Sequence, residues 1–358
     1  MLRIDRRLLF HFDWLLISLT GLLLAAGLLT LWSLVPRFAM RQLLWAGVGT
    51  VVLLVLISID YRILARWASL GYVLGLGALA TVIVLGRSAQ GARRWLQVGP
   101  LTLQPSELFK LVLLFVVARY LASREEERPG WDRMAIPLAL AAPALLLIVK
   151  QPDLGTALVL LPVLFALMFV GGARWRDLGL LAGGGLALAP ALWFFLRDYQ
   201  RERLLVYVDP SRDPLGSAWN VIQAKITIGS GQVMGKGLFG GTQSRLAFLP
   251  ERHTDFIFAA FAESWGFLGA IALLVGYGLL ALRGLEVAAS ARDALGSLLA
   301  TGATVLLVSQ ALVNLGMVTG LLPVVGIPLP LISYGGSALL MALGAVAVIE
   351  NVRMRRFA

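Results

Sequence analysis

Ten apolar runs, each long enough to cross a hydrocarbon layer as a helix, leave this chain few folds to choose from. A layer of ~30 Å takes about 20 helical residues, and such runs begin near Trp14, Met40, Ile63, Ser106, Ile136, Gly155, Leu178, Asp255, Leu295 and Tyr334. In hydrocarbon every backbone amide must be bonded inside the protein, which a helix achieves by itself and an open sheet does not. The expectation is an all-α polytopic membrane protein with about ten transmembrane helices, a single domain over residues 1–358. A composition that is 59% hydrophobic and only 14% charged, with mean hydropathy +0.83, excludes an ordinary soluble core. The first run, 14–35, follows Arg3, Arg6 and Arg7 but is longer than a signal-peptide core, and a second run follows closely, so it is a retained helix.

An even number of spans puts both termini on one side, and the basic residues say which. With the termini cytoplasmic, sixteen arginines of the cytoplasmic segments (among them Arg62, Arg66, Arg119, Arg124, Arg128, Arg133, Arg174 and Arg176) stand against six basic residues, Arg37, Arg41, Arg87, Arg93, Arg94 and Lys150, in the short outer segments. Cytoplasmic loops carry the excess of Lys and Arg, so this orientation is favoured. The one long polar segment, 197–253, then forms a large extracytoplasmic loop between the seventh and eighth helices. It holds Arg197, Arg201, Arg203, Arg212, Lys225, Lys236, Arg245 and Arg252 against five acids, an excess suited either to anions or to lipid headgroups.

The absence of cysteine removes thiol chemistry and any disulfide staple, so packing must order the long loop. His11 and His253 alone cannot build a histidine metal cluster, and no metal site is expected. The segment Gly235-Lys236-Gly237-Leu238-Phe239-Gly240 has dinucleotide-binding spacing without the strand, helix and distal acid that give it meaning. Its glycines are better explained as backbone that must turn tightly or approach something closely.

Four acids deserve a closer reading. Asp255 lies where the long polar loop meets an apolar run in which Glu263 is the sole charge up to Leu282, a boundary at which an ionisable residue is a functional candidate. In Gln104-Pro105-Ser106-Glu107-Leu108-Phe109-Lys110, Ser106 is expected as the helix N-cap, and Glu107 and Lys110, three residues apart, share a face and can pair. A structural pair and a substrate-contacting pair are equally consistent with that spacing. Asp153, in Gln151-Pro152-Asp153-Leu154-Gly155-Thr156, is a helix cap or an arginine partner. The proline- and glycine-rich stretch 322–337 cannot be helical throughout and is expected to be an ordered re-entrant or capping segment surrounded by protein.

Taken in order, GARRWLQVG (91–99), QPSELFK (104–110), QPDLGTA (151–157), DPLGSAWNVIQAKI (213–226), GSGQVMGKG (229–237), LPERHTDFIFA (249–259) and VVGIPLPLISYGGS (324–337) resemble the SEDS family of bacterial cell-wall polymerases, and within it the RodA branch of elongation more than the FtsW branch of division. The resemblance spans nearly the whole chain. It implies a ten-helix peptidoglycan glycosyltransferase that polymerises lipid II at the outer face of the cytoplasmic membrane, with a class B penicillin-binding protein as its crosslinking partner and no nucleic acid. By motif match it also implies that Asp255 is the family's essential aspartate and that Glu107 and Lys110 are its paired residues on the fourth helix.

The chemistry asks for the same residues. Extending a glycan requires a base within reach of the acceptor's 4-hydroxyl, a role open to Asp255. The lipid pyrophosphate leaves as a stable anion, so one carboxylate can suffice where glycoside hydrolases use two. Glu263, eight residues on and roughly 12 Å along a continuous helix, is expected to be a structural partner. Positive charge for the pyrophosphates is expected from Arg94, Lys110, Arg203, Lys225 and Lys236. No protein-bound cofactor is expected; a divalent cation accompanying the pyrophosphate stays open. The competing classes are a flippase of the same lipid, which predicts midplane charges and interrupted helices in two related halves, and a non-catalytic scaffold, which leaves Asp255 unexplained.

Overall fold

Aspartates start four of the long helices. Asp13, Asp60, Asp153 and Asp293 each accept a backbone N–H of the turn that follows, from Leu16, Arg62, Thr156 and Gly296 respectively, satisfying donors that a helix start leaves unpaired. Two others begin at proline, Pro36 and Pro105, whose fixed φ and missing N–H suit the first helical position. The computed structural model describes residues 11–89, 92–98, 101–124, 130–196, 198–213, 218–245 and 251–357. Arg3, Arg6, Arg7, Arg128 and Arg197, which entered the charge count, lie outside the described residues.

The described helices in chain order are α1 (Trp14–Leu34), α2 (Pro36–Ser58), α3 (Tyr61–Leu85), α4 (Pro105–Ala122), α5 (Asp132–Lys150), α6 (Leu154–Val170), α7 (Trp175–Leu192), α8 (Asp198–Val208), α9 (Trp219–Ser230), α10 (Thr242–Arg245), α11 (Ile257–Ala289), α12 (Ala294–Thr319) and α13 (Gly336–Met354). The ten of 17 residues or more fall on the ten apolar runs. Seven are long and apolar enough to cross a membrane by length and composition alone, and α6 is a shorter apolar helix. The protein is an all-α polytopic membrane protein. α12 and α13, 78% and 89% buried over their apolar windows, form its centre, whereas α3 is 17% buried and turns most of its surface outward.

One element was not foreseen. Between α3 and α4 the chain forms a small antiparallel sheet in the order β1-β2-β3, with β1 (Arg87–Ala89), β2 (Ala92–Val98) and β3 (Leu101–Leu103). Strands this short carry too few residues for their alternation to stand out; Gly91 and Gly99-Pro100 were the available turn signals. The long polar segment is likewise more structured than a loop, containing α8 and α9. It is held without disulfides: Tyr207 Oη donates to Leu321 O at 2.9 Å and Arg203 to Val324 O at 3.2 Å.

Two interruptions shape the bundle. α11 is broken at Gly266 (φ 67°, ψ −167°), and residues 232–237 fill the gap. Phe267 N donates to Gln232 O at 2.8 Å and Leu268 N to Val233 O at 3.2 Å, while Lys236 N and Gly237 N donate to the carbonyls of Glu263 and Ser264 at 2.9 and 3.0 Å. The glycine-rich motif thus serves a close backbone approach. The second interruption is the non-helical stretch between α12 and α13, where Ile327, Leu329, Leu331 and Ile332 are all buried, as expected of a segment enclosed by protein. At the opposite end of the bundle Arg283 Nε donates to Asp13 Oδ2 at 2.6 Å, and Asp13 N donates to Glu350 Oε1 at 2.8 Å, tying α11, α1 and α13 together.

A Cβ on Gly266 would lie 2.2 Å from Gly235 N, in a backbone conformation that L-residues avoid. Gly266→Ala is therefore expected to cost at least about 2 kcal/mol and to lower the thermal midpoint in detergent. An unchanged midpoint would show that the close approach does not dictate the break.

Candidate functional site

At the end of the bundle opposite the described termini lies an open cavity of about 680 Å³. Its wall is assembled from β2 (Arg94, Trp95), the first turns of α4 (Glu107, Lys110), the start of α6 (Asp153, Thr156), α8 (Glu202, Arg203), the turn 251–255 and the interrupted segment at 326–335. Residues as far apart in sequence as Arg94 and Ala338 therefore share one chamber.

Asp255 stands just before α11, whose N-cap is Phe256 and makes no side-chain cap. Unlike the four capping aspartates, its carboxylate accepts no hydrogen bond among the described residues, and it lines the cavity. Burial, and then the neighbouring Glu251 carboxylate, push its pKa up to about 6, partly offset by Arg203 and Arg94. The turn carrying it is held firmly. Glu251 adopts φ 51°, unusual for a residue with a side chain, and its Oε2 accepts from Thr254 Oγ1 at 2.9 Å. Ser333 Oγ donates to Thr254 O at 2.6 Å and Tyr334 N to His253 O at 2.9 Å. The His253 ring stacks on Phe38 with centroids 4.5 Å apart, and burial lowers its pKa, so it acts as a neutral packing wedge. A Cβ on Gly326 would lie 3.4 Å from Asp255 Oδ2, which places the interrupted segment against the carboxylate.

Lys110 and Glu107 pair at 2.9 Å, both almost fully buried. Lys110 Nζ donates also to Gln310 Oε1 at 2.8 Å, and Glu107 Oε2 has no partner among the described residues. Asp153 fills both roles expected of it. It caps α6, and its Oδ1 lies 3.7 Å from Arg94 Nη1. Arg94 donates further to the carbonyls of Gln151 and Pro152, which pins the guanidinium at the cavity wall. Ser106 is not the helix N-cap. Pro105 starts α4 two residues earlier than that cap implies, Gln104 is the cap, and the Ser106 hydroxyl donates to Asp153 at 3.2 Å instead.

The structure brings Asp255, Glu107, Lys110, Arg94 and Arg203 to one cavity and leaves two expected cations out of it. Lys236 pairs with the fully buried Glu263 at 3.1 Å, and that carboxylate also accepts from Ser230 Oγ and the backbone N–H groups of Thr242 and Gln243. Glu263 is a structural partner, as anticipated, and Lys236 is what it binds. Lys225 lies against Gly320 at the carbonyl end of α12, in a smaller adjacent hollow of which Arg203 is also a wall. The positive excess of the long segment is accordingly not concentrated on the cavity, whose described wall carries three cations and five carboxylates. Sequence reading missed Gln42, Gln310, Asn314 and Ser333, which bond to the interrupted segment or to the turn before α11. For Gln42, Gln310 and Asn314 a signal was available, isolated polar side chains within apolar spans; Ser333 belongs to the interrupted segment itself.

Comparison with known proteins places the geometry in context. The sequence profile of the FtsW/RodA/SpoVE cell cycle proteins matches residues 7–357. Peptidoglycan glycosyltransferase MrdB of Escherichia coli is 41% identical over 351 residues, covering 97% of this chain and 94% of that one. Among solved structures, a chain from a peptidoglycan synthase complex, described for its coordination of polymerization and crosslinking, superposes with TM-score 0.83 at 37% identity, covering 97% of this chain and 98% of that one. The rod shape determining protein RodA of Thermus thermophilus superposes with TM-score 0.74 at 36% identity, with the same coverage.

Because Lys110 and Glu107 are buried together, removing one strands the other. Lys110→Met and Glu107→Gln are each expected to cost roughly 3–5 kcal/mol, while the double substitution costs clearly less than their sum. Additive losses in a double-mutant cycle on thermal stability would show that the pair does not act as a unit.

Proposed function

The chain belongs to the FtsW/RodA/SpoVE family of cell cycle proteins, and from that membership we propose that it is a peptidoglycan glycosyltransferase in which Asp255 is the general base. The observation that carries the role of Asp255 is its carboxylate: it caps no helix, accepts no hydrogen bond among the described residues, and lines a cavity with three cations. The substrate is lipid II, polymerised at the outer face of the cytoplasmic membrane during elongation, with both termini cytoplasmic. The orientation rests on the arginine distribution, the glycosyltransferase activity is supported by the named activity of MrdB, and lipid II as substrate rests on the motif resemblance of the sequence.

Chain extension joins an acceptor sugar's 4-hydroxyl to the anomeric carbon of a donor still attached to lipid pyrophosphate. Asp255 takes the hydroxyl proton as the oxygen attacks, the bond from the anomeric carbon to the phosphate oxygen breaks, and the pyrophosphate leaves with the electron pair. A carboxyl raised to about 6 is a stronger base than an ordinary aspartate yet remains mostly ionised at neutral pH. Arg94, Arg203 and Lys110 are placed to meet the pyrophosphate charge as it develops. Lys225 and Lys236 have no such part. A divalent cation, where one takes part, arrives with the pyrophosphate. A class B penicillin-binding protein is the proposed partner, supported by the peptidoglycan synthase complex whose chain this one resembles.

Two outcomes are expected at Asp255. The base must be ionised, so kcat/KM for polymerisation by the purified chain in liposomes should fall about tenfold per pH unit below about 6; an acidic limb near 4 would remove Asp255 from the role. Asp255→Asn should abolish polymerisation and at the same time stabilise the protein. A carboxyl raised to about 6 is less easily ionised folded than unfolded, so stability falls as pH rises from about 4 through 6, a loss of roughly 3 kcal/mol at neutral pH. The thermal midpoint of Asp255→Asn should therefore exceed that of the parent at pH 7.5 and match it near pH 4. Lipid movement across the bilayer without glycan product, from the unsubstituted chain, would favour the flippase reading instead.

A further inference from the structure

The reaction as proposed leaves two buried amides on α12 unexplained. Gln310 and Asn314 are both 0% exposed and stand four residues, about one turn, apart, so they share a face of the helix. Gln310 Oε1 accepts from Lys110 Nζ at 2.8 Å, and its Nε2 donates to Pro328 O at 3.1 Å. Lysine only donates and a carbonyl only accepts, so this amide fits one way round. Asn314 Nδ2 donates to Asp255 O at 2.8 Å and to Ile327 O at 2.6 Å, leaving its buried Oδ1 without a partner among the described residues. A side chain placed only to fill space would not carry that unpaired oxygen.

What the two amides hold is the working surface of the cavity. The carbonyls of Ile327 and Pro328 are adjacent in the interrupted segment, next to Gly326, the residue lying against Asp255. The ammonium of Lys110 has three N–H donors. Glu107 and Gln310 take two, and one remains on a side chain that lines the cavity. One face of one helix therefore references the lysine, the wall at Gly326 and the backbone of Asp255 to each other.

We propose that Gln310 and Asn314 are positioning residues of the transfer reaction: Gln310 aims the remaining N–H of Lys110 at the anionic part of the lipid-linked substrate, and Asn314 holds the Asp255 backbone so that its carboxylate faces the acceptor hydroxyl. This rests on the assignment of Asp255 as the base. The two roles are separable because they act through different groups. Loss of the Gln310 acceptor frees Lys110 to swing toward Glu107 and weakens substrate binding. Loss of the Asn314 donor loosens the turn and exposes Asp255 further to the water of the cavity.

The test is steady-state polymerisation of lipid II in liposomes between pH 5 and 8 by the full chain, with Gln310→Met, Gln310→Glu, Asn314→Ser, Asn314→Asp and Asp255→Asn, each paired with a thermal midpoint. Gln310→Met should raise KM about tenfold and leave the acidic limb in place. Gln310→Glu, which keeps an acceptor for Lys110, should recover most of that loss. Asn314→Ser should leave KM within about twofold, lower kcat about tenfold and move the acidic limb down by about one pH unit, whereas Asn314→Asp, whose added carboxylate opposes ionisation of Asp255 as Glu251 does, should lower kcat likewise and move the limb up. Glu251 on the same turn, Arg203 from α8, Arg94 from β2 and Asp153 at the cap of α6 face the carboxylate and are unchanged in all these variants. Unaltered constants and limb, losses that track only the fraction of folded protein, or failure of all four amide variants to fold overturn the positioning role. Polymerisation retained by Asp255→Asn instead overturns the base assignment, and is read in a different protein from any of these.

Discussion

A backbone amide that leaves a helix at membrane depth must find another partner inside the protein, and the working part of this molecule follows from how that demand is met. α11 breaks at Gly266, and its freed groups are taken by residues 232–237, which bring Lys236 onto Glu263. The chain between α12 and α13 is not helical, and side chains of α2 and α12 take up its polar groups. Gln42 bonds to Ser333 O and Gly335 N, Gln310 to Pro328 O, and Asn314 to Ile327 O. Leaving such groups unpaired in hydrocarbon costs several kcal/mol each, so both interruptions are rigidly docked. The second interruption forms one wall of the cavity and sets Gly326 against Asp255.

Charge is distributed by the same logic. Acids at the starts of α1, α3, α6 and α12 are occupied as caps, and Glu263 is fully occupied inside the bundle. Asp255 is the exception, an acid beside a helix start whose N-cap is Phe256. Removing it from water opposes ionisation, Glu251 adds to that, and Arg203 and Arg94 from two other elements offset part of it. The balance is a carboxyl raised to about 6, which is destabilising to the fold and useful to a base. Glu107 and Lys110 show the complementary arrangement, two buried charges that tolerate each other by pairing, with Gln310 completing the shell of the ammonium.

This layout bears on the competing readings of the chain. Alternating access asks for ionisable groups near the bilayer midplane between two related halves. Here the cavity lies toward one end of the bundle and is formed by loops, helix starts and one interrupted segment, an arrangement suited to chemistry at a membrane surface. A scaffold would not need a partly buried carboxylate that faces a cavity without a hydrogen bond.

The sequence by itself determined the fold class, the ten helices, the pairing of Glu107 with Lys110 and the prominence of Asp255, because these depend on local quantities: the length of apolar runs, i,i+3 spacing and the junction of a polar segment with an apolar one. It also located the interrupted segment, since three prolines within eight residues cannot continue a helix. Other features were decided only by tertiary structure. Whether Lys225 and Lys236 met the cavity depended on how residues 198–245 dock, and burial of Glu263 drew Lys236 to it instead. Ser106 and Asp153 met because Pro105 began its helix two residues early and α4 packs beside the start of α6. Gln310 and Asn314 acquired their partners from carbonyls that lie close only once α12, the interrupted segment and the turn before α11 are packed together, and no spacing within α12 names them.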